Sequence, residues 1–165
     1  MWKIKLETFE QRDIPELTGI MQRAFDNDSR IHLGRAGGPP GYDNGDFLRK
    51  WGLNERSTQY KLILDGRMIG GVILWIDEKT HIHTLGTIFL DPDLQEKGIG
   101  TTVWYIIEKM YPNTIKWRTE TPVFSHRNHH FYVNKCGFHV VQIENPKDWT
   151  EGSFILEKDM KKWAK

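Results

Sequence analysis

Apolar residues along this chain change their spacing several times, and each change marks a new element. From Trp2 to Phe9 apolar and polar positions alternate, which predicts a first strand. Leu17, Ile20, Met21, Ala24 and Phe25 then recur at helical spacing. Asp13 is expected as the cap of that helix, with Pro15 in its first turn and Glu16 three residues after the cap. The helix is expected to fade at Asn27-Asp28-Ser29. Between Arg30 and Asn44 the run Arg35-Ala36-Gly37-Gly38-Pro39-Pro40-Gly41-Tyr42 forbids regular structure. A loop of this length is either functional or a plain surface excursion. Asp46 to Leu53, with Phe47, Leu48 and Trp51, predicts a second short helix.

Two apolar runs, Gln59 to Leu64 and Met68 to Ile76, flank Asp65-Gly66-Arg67, a strong hairpin signal. A third strand, His81 to Leu90, ends at Asp91-Pro92-Asp93. At Gly98 the period turns helical again, with Ile99, Val103, Ile106, Ile107 and Met110 on one face, until Tyr111-Pro112-Asn113. Ile115 to Thr121 predicts a strand stopped by Pro122. Ser125 to Lys135 predicts a helix with Gly137 as its C-cap glycine. Phe138 to Ile143 and Ser153 to Leu156 complete the sheet. No repeat or linker interrupts the order, so residues 1–165 are expected to form a single α/β domain with a mixed sheet flanked by helices.

The junction Gln95-Glu96-Lys97-Gly98-Ile99-Gly100-Thr101-Thr102 carries the first chemical signal. Gly98 and Gly100 let backbone approach another group closely. The first turn of a helix has N–H groups without intrahelical partners and carries partial positive charge. Such a turn cradles phosphate, and Lys97, Thr101 and Thr102 can add donors. A glycine pair that merely turns the chain is the plainer reading of the same residues.

Gln95-Glu96-Lys97-Gly98-Ile99-Gly100 resembles the Q/R-x-x-G-x-G/A motif of the GNAT superfamily of N-acetyltransferases. Leu90-Asp91-Pro92 stands where that family usually has V-x-P. Further on, His130-Phe131-Tyr132-Val133-Asn134-Lys135-Cys136-Gly137-Phe138 is similar to its FY-x-K-x-GF segment. The two motifs stand in the family's order and at its distance, and the element order β-α-α-β-β-β-α-β-α-β-β matches its fold. The resemblance implies a central splayed sheet and direct transfer of an acetyl group from acetyl-CoA to an amine. It implies that Gln95 to Thr102 hold the diphosphate. It also implies that the strand edge at Ile88, Phe89 and Leu90 pairs with the pantetheine amides, between strands that part from each other. A backbone N–H near Leu90 would stabilise the oxyanion, an effect worth ~3 kcal/mol in other acyl transfers.

The resemblance places Tyr132 opposite the thioester sulfur, as the acid that protonates the leaving thiolate; a packing tyrosine is the plainer alternative. Five residues separate Tyr132 from Gly137 where the commonest family spacing is four, so a looser helix end is expected. The pantetheine-contacting asparagine of the family would fall at Ser125 here, while Asn128 lies one helical turn before Tyr132 and can reach the same groove. Eleven residues before Gln95, where family members often carry the general base, stands Thr84. His81 and His83 lie nearby, Glu120 on the neighbouring strand is the better-placed carboxylate, and a water relay serves equally well. Arg35, Tyr42 and Asp43 are candidate acceptor contacts only by their place in the long loop. The missing carboxylate at Thr84 keeps open a second reading, a GNAT-fold domain that holds CoA as a sensor or scaffold without turnover. A third class binds neither CoA nor an amine.

Composition narrows the classes further. Lys and Arg number 23 against 22 Asp and Glu, so no net charge draws the protein to nucleic acid or membrane. The lysine-rich tail from Glu157 to Lys165 reads as a solvated face. No apolar run approaches the ~20 residues that span a bilayer, and the alternating N-terminus lacks a signal peptide's apolar centre. A cytoplasmic enzyme fits, with acetyl-CoA and an amine as its small-molecule partners, and the chain is compatible with a homodimer. His126 and His130 are four apart on a helix, and His81 and His83 flank one residue. Neither pair completes a zinc ligand set, so no metal is expected. The single cysteine, Cys136, excludes a disulfide framework and reads as a small buried hydrophobe. Trp51, Trp75 and Trp104 fall in apolar patterns that core packing explains better than base stacking.

Overall fold

The computed structural model describes residues 2–161; Met1 and the end of the lysine-rich tail, 162–165, lie outside the described residues. Strand β1 (Ile4–Thr8) is followed by helix α1 (Ile14–Leu33), β2 (Thr58–Leu64), β3 (Arg67–Trp75) and β4 (Ile82–Leu90). Then come α2 (Ile99–Met110), β5 (Lys116–Pro122), α3 (His126–His129), β6 (His139–Glu144) and β7 (Ser153–Asp159). The strands form one seven-stranded sheet in the order β1-β2-β3-β4-β5-β7-β6. Only β4 and β5 pair in parallel; the other neighbours are antiparallel.

Two apolar layers clamp this sheet. Leu17, Ile20, Met21 and Ala24 of α1 bury against Phe9, Ile73 and Phe89 on one face. On the other face Val103, Trp104 and Ile107 of α2 meet Trp117, Leu156 and Phe138. Trp104 and Trp117 are fully buried and meet edge to face, with ring centroids 5.0 Å apart. Such pairs add about 0.5–1.5 kcal/mol to the area they bury.

Helix α1 runs past its expected end at Asn27-Asp28-Ser29. Those polar residues are weak helix formers, but here Asp28 and the adjacent Asp26 find tertiary partners. The Tyr42 hydroxyl donates to Asp26 at 2.6 Å and the Ser125 hydroxyl to Asp28 at 2.8 Å. Side chains held this way no longer compete for the helix backbone. Gly34 ends the helix at φ 74°, a left-handed cap that donates to the Arg30 carbonyl. Asp13 stands at the start of α1 but does not cap it. Its carboxylate turns back to the Glu10 N–H at 2.8 Å and pairs with Lys61 at 3.1 Å.

Two predicted α-helices are wider turns. The segment expected to be helical between Asp46 and Leu53 contains a π-helical turn, Leu48–Gly52. In the predicted helix from Ser125, α3 passes at His130 into a π-helical segment that ends at Lys135. The Cys136 N–H reaches back five residues to Phe131, and Phe138 donates to Tyr132. The widened turn absorbs the extra residue between Tyr132 and Gly137. Gly137 follows at φ 87°. Strand β7 continues to Asp159, and Lys158 is buried against Glu108 at 2.7 Å. That lysine is therefore not part of a solvated face.

Candidate active site

Parallel pairing between β4 and β5 covers only Ile82–Lys116, His83–Trp117 and Thr84–Arg118. Beyond Thr84 the strands part and leave a cleft of about 880 Å³. Its floor is the free edge of β4, where Ile88, Phe89 and Leu90 line it. The Asp91 N–H donates towards β3, to Ile69. Strand alternation therefore turns the amides of Ile88 and Leu90 towards the cleft.

At one end lies the turn into α2, where Gln95, Glu96, Gly98, Gly100 and Thr101 line the cleft. Gly98 holds φ 80° at the N-cap, and no side chain caps this helix. The amides of the first turn are left for a ligand or solvent. A Cβ on Gly100 would stand 3.0 Å from the Phe131 ring, so glycine keeps the space between α2 and the π-helical segment open. The other residues expected here face elsewhere. Ile99 is buried in the core, Lys97 is exposed, and the Thr102 hydroxyl donates to the Gly98 carbonyl at 3.1 Å. None of these three lines the cleft.

Asp91 anchors this turn. Its side chain takes the Asp93 N–H at 3.2 Å, Arg67 at 2.9 Å and Arg23 at 3.1 Å. Burial pushes the Asp91 carboxyl up, but the Asp93 amide and the two guanidiniums outweigh it, and the net shift is down.

The opposite wall comes from α3 and the π-helical segment that follows it, with β5 behind them. Alternation along β5 buries Trp117, Thr119 and Thr121 and exposes Arg118 and Glu120. Asn128 donates through Nδ2 to the Thr121 hydroxyl at 3.2 Å. Asn128 and Tyr132 both line the cleft. Burial raises the pKa of the Tyr132 phenol, and the Cys136 thiol adds to this against the opposing pull of Thr119. The phenol is thus protonated at neutral pH and available as a donor. Glu120 lies on the other face of β5, accepts from the Ser153 hydroxyl and does not line the cleft.

Helix α1 closes the far end with Ala24, Phe25 and Asp28. Asp28 and Arg127 of α3 line the cleft although no sequence motif points to them, and His126, weighed above only as half of a metal pair, lines it too. For Asp28 the signal in the sequence is its helical spacing from Phe25, since α1 continues through both. Ser125 is fully buried and spends its hydroxyl on Asp28. Arg35, Tyr42 and Asp43 do not line the cleft; the Asp26 carboxylate first, then burial, push the Tyr42 phenol up to about 12.

His83 is buried between Tyr111 and Trp117 and accepts the Asp77 N–H at 3.0 Å, away from the cleft. His126 stacks on His32 at 5.5 Å, whereas His130 meets Asn134 at 2.7 Å. Among the described residues no three His, Cys, Asp or Glu side chains are grouped to hold a metal ion. Cys136 is buried; burial, above all, pushes its thiol up to about 12, which leaves little nucleophilic thiolate.

The same fold occurs in known proteins. Residues 21–138 match the model of the acetyltransferase (GNAT) family. The chain is 34% identical over 143 residues to the uncharacterized protein YrkN of Bacillus subtilis, covering 87% of this chain and 77% of that protein. An acetyltransferase from Thermus thermophilus superposes with a TM-score of 0.76 at 15% identity, over 96% of this chain and 99% of the other. A spermidine N-acetyltransferase from Vibrio cholerae, solved with CoA and spermine, gives 0.71 at 15% identity over 98% of each chain. At these identities the two structures speak for the fold alone. The family match spans both the turn into α2 and the π-helical segment that carries Tyr132, and this chain belongs to the GNAT acetyltransferase family.

Proposed function

We propose that this protein transfers the acetyl group of acetyl-CoA directly to a primary amine of a small molecule or peptide. The carrying observation is the parting of β4 and β5, which sets a protonated, buried Tyr132 across a cleft from the uncapped N-terminus of α2. Membership of the family and the CoA-bound relative support the same reading.

In this reading the amides of the first turn of α2, near Gly98 and Gly100, receive the diphosphate. The pantetheine arm lies along the free edge of β4 as an added strand, and Asn128 faces it from α3. The amine lone pair attacks the thioester carbon, and the carbonyl oxygen, now an oxyanion, takes the Leu90 amide as donor. The carbon–sulfur bond then breaks, and the Tyr132 phenol gives its proton to the thiolate. The proton lost by the amine passes to water, since Glu120 faces away from the cleft, and the Tyr132 phenolate takes a proton back from water to restore the acid. Among the described residues no helix is long and apolar enough to cross a membrane. A cytoplasmic site of action is part of this proposal.

Thiol release from acetyl-CoA, followed with a panel of small amines and peptide N-termini, tests the reading. Amine-dependent release with a matching acetylated product is expected. Tight acetyl-CoA binding without transfer to any amine would instead support a domain that holds CoA without turnover.

A further inference from the structure

Arg127 stands on α3, across the cleft from the turn that opens α2. Its guanidinium donates to the Gln95 amide oxygen and lies 3.8 Å from the Glu96 carboxylate. Gln95 also donates through Nε2 to the Leu90 carbonyl at 3.2 Å, so its oxygen faces Arg127. All three side chains line the cleft. Arg127 therefore reaches from one wall to the segment expected to take phosphate.

The charges of that segment raise a difficulty that Arg127 resolves. Glu96 brings a negative charge to a turn whose amides suit an anion, while the neighbouring cation, Lys97, is exposed and outside the cleft. Among the described residues Arg127 and Lys135 are the permanent cations that line the cleft, and Arg127 is the one in contact with the turn. Its ion pair is unequal: the Glu96 side chain is 80% exposed, the Arg127 side chain 26%. At 3.8 Å the pair is too long for a hydrogen bond and contributes little. A phosphate offers several charged acceptors to a planar guanidinium and binds it in two-point fashion, which a distant carboxylate cannot match.

We propose that Arg127 is a phosphate ligand of the coenzyme, kept at the turn by Gln95 and Glu96 and passed to the phosphate when the nucleotide end enters. The inference rests on the coenzyme reading above. The diphosphate and the ribose 3′-phosphate of CoA present the same chemistry to a guanidinium. Glu96 is then a competitor for the ligand's partner, so substitutions at the two positions act in opposite directions. A purely structural strut gives a different pattern, in which either substitution lowers the melting temperature and neither acts on phosphate.

Calorimetric titration with CoA and dephospho-CoA, and competition with pantetheine, is applied to the parent, Arg127→Gln, Arg127→Lys and Glu96→Gln. Melting temperatures are recorded alongside. Arg127→Gln is expected to weaken CoA about tenfold, the scale of one charged hydrogen bond, and to leave pantetheine unchanged. Arg127→Lys keeps part of the affinity, and Glu96→Gln binds CoA more tightly than the parent. A loss that disappears with dephospho-CoA assigns Arg127 to the 3′-phosphate; one that persists assigns it to the diphosphate. Equal CoA affinity in Arg127→Gln and parent overturns the proposal, as does an equal loss for CoA and pantetheine. A parent that binds none of the three ligands contradicts the coenzyme reading itself, and the role of Arg127 falls with it.

Discussion

The Thr119 hydroxyl donates to the Leu85 carbonyl at 2.9 Å, just where parallel pairing of β4 with β5 stops. A strand that leaves its neighbour exposes a carbonyl, and here a side chain satisfies it instead of a ladder partner. Thr119 also lies beside Tyr132, where it pulls the phenol's pKa down against the larger effect of burial. One threonine thus closes the vertex of the cleft and sits beside the phenol that faces it.

Thr119→Val is accordingly expected to cost about 1–3 kcal/mol, the penalty for a buried acceptor left without a donor. Urea unfolding of Thr119→Val and Thr119→Ser checks this. The serine variant keeps the hydroxyl and should stay near the parent.

Tyr132→Phe removes the donor and keeps the ring packed against Phe131 and Phe138. In the proposed mechanism kcat falls about 10²-fold or more, while the dissociation constant for CoA changes less than about twofold. Steady-state rates together with titration calorimetry separate the two effects. An unchanged kcat would remove Tyr132 from the chemistry.

Gly100 leaves room between α2 and Phe131. Gly100→Val fills that room and is expected to reduce acetyl-CoA affinity more than about tenfold, since displaced phosphate contacts are charge-assisted. Titration calorimetry reads the affinity, and an unchanged far-ultraviolet circular dichroism spectrum shows that the fold is kept.

The Asp91 carboxyl titrates below its ordinary value in the folded chain. A group with a lowered folded pKa contributes its stability above the unfolded value of about 3.9, and this is lost as pH falls through the folded pKa. Asp91→Asn is expected to melt lower than the parent at pH 7. The gap should begin to narrow below about pH 4, where the unfolded carboxyl takes up its proton, and close as pH falls through the lower folded pKa. Thermal melts of both proteins between pH 7 and pH 3 measure it. A gap that widens on acidification has the wrong sign for this account.

Much of this was legible in the chain because local signals agreed with tertiary ones. The period change at Gly98 marks the start of α2, and the run Ile88-Phe89-Leu90 ends on the free edge of β4. Alternation in Lys116–Pro122 already sorts Thr119 and Thr121 from Glu120, although closeness to the strand end made Glu120 look available. What stayed hidden depended on partners distant in sequence. The last turns of α1 hold because Tyr42 and Ser125 take their carboxylates, so Asp28 emerged as a cleft residue only in three dimensions. A π-helical segment leaves no periodic trace in a few residues, yet the extra position before Gly137 was its one visible sign.

A crystal structure of the protein soaked in acetyl-CoA measures the central claim most directly. The account predicts diphosphate density on the amides near Gly98 and Gly100, pantetheine along the free edge of β4, and the thioester sulfur within hydrogen-bonding reach of the Tyr132 hydroxyl. Acetyl-CoA bound anywhere else, or a cleft in the soaked crystal without coenzyme density, would contradict it.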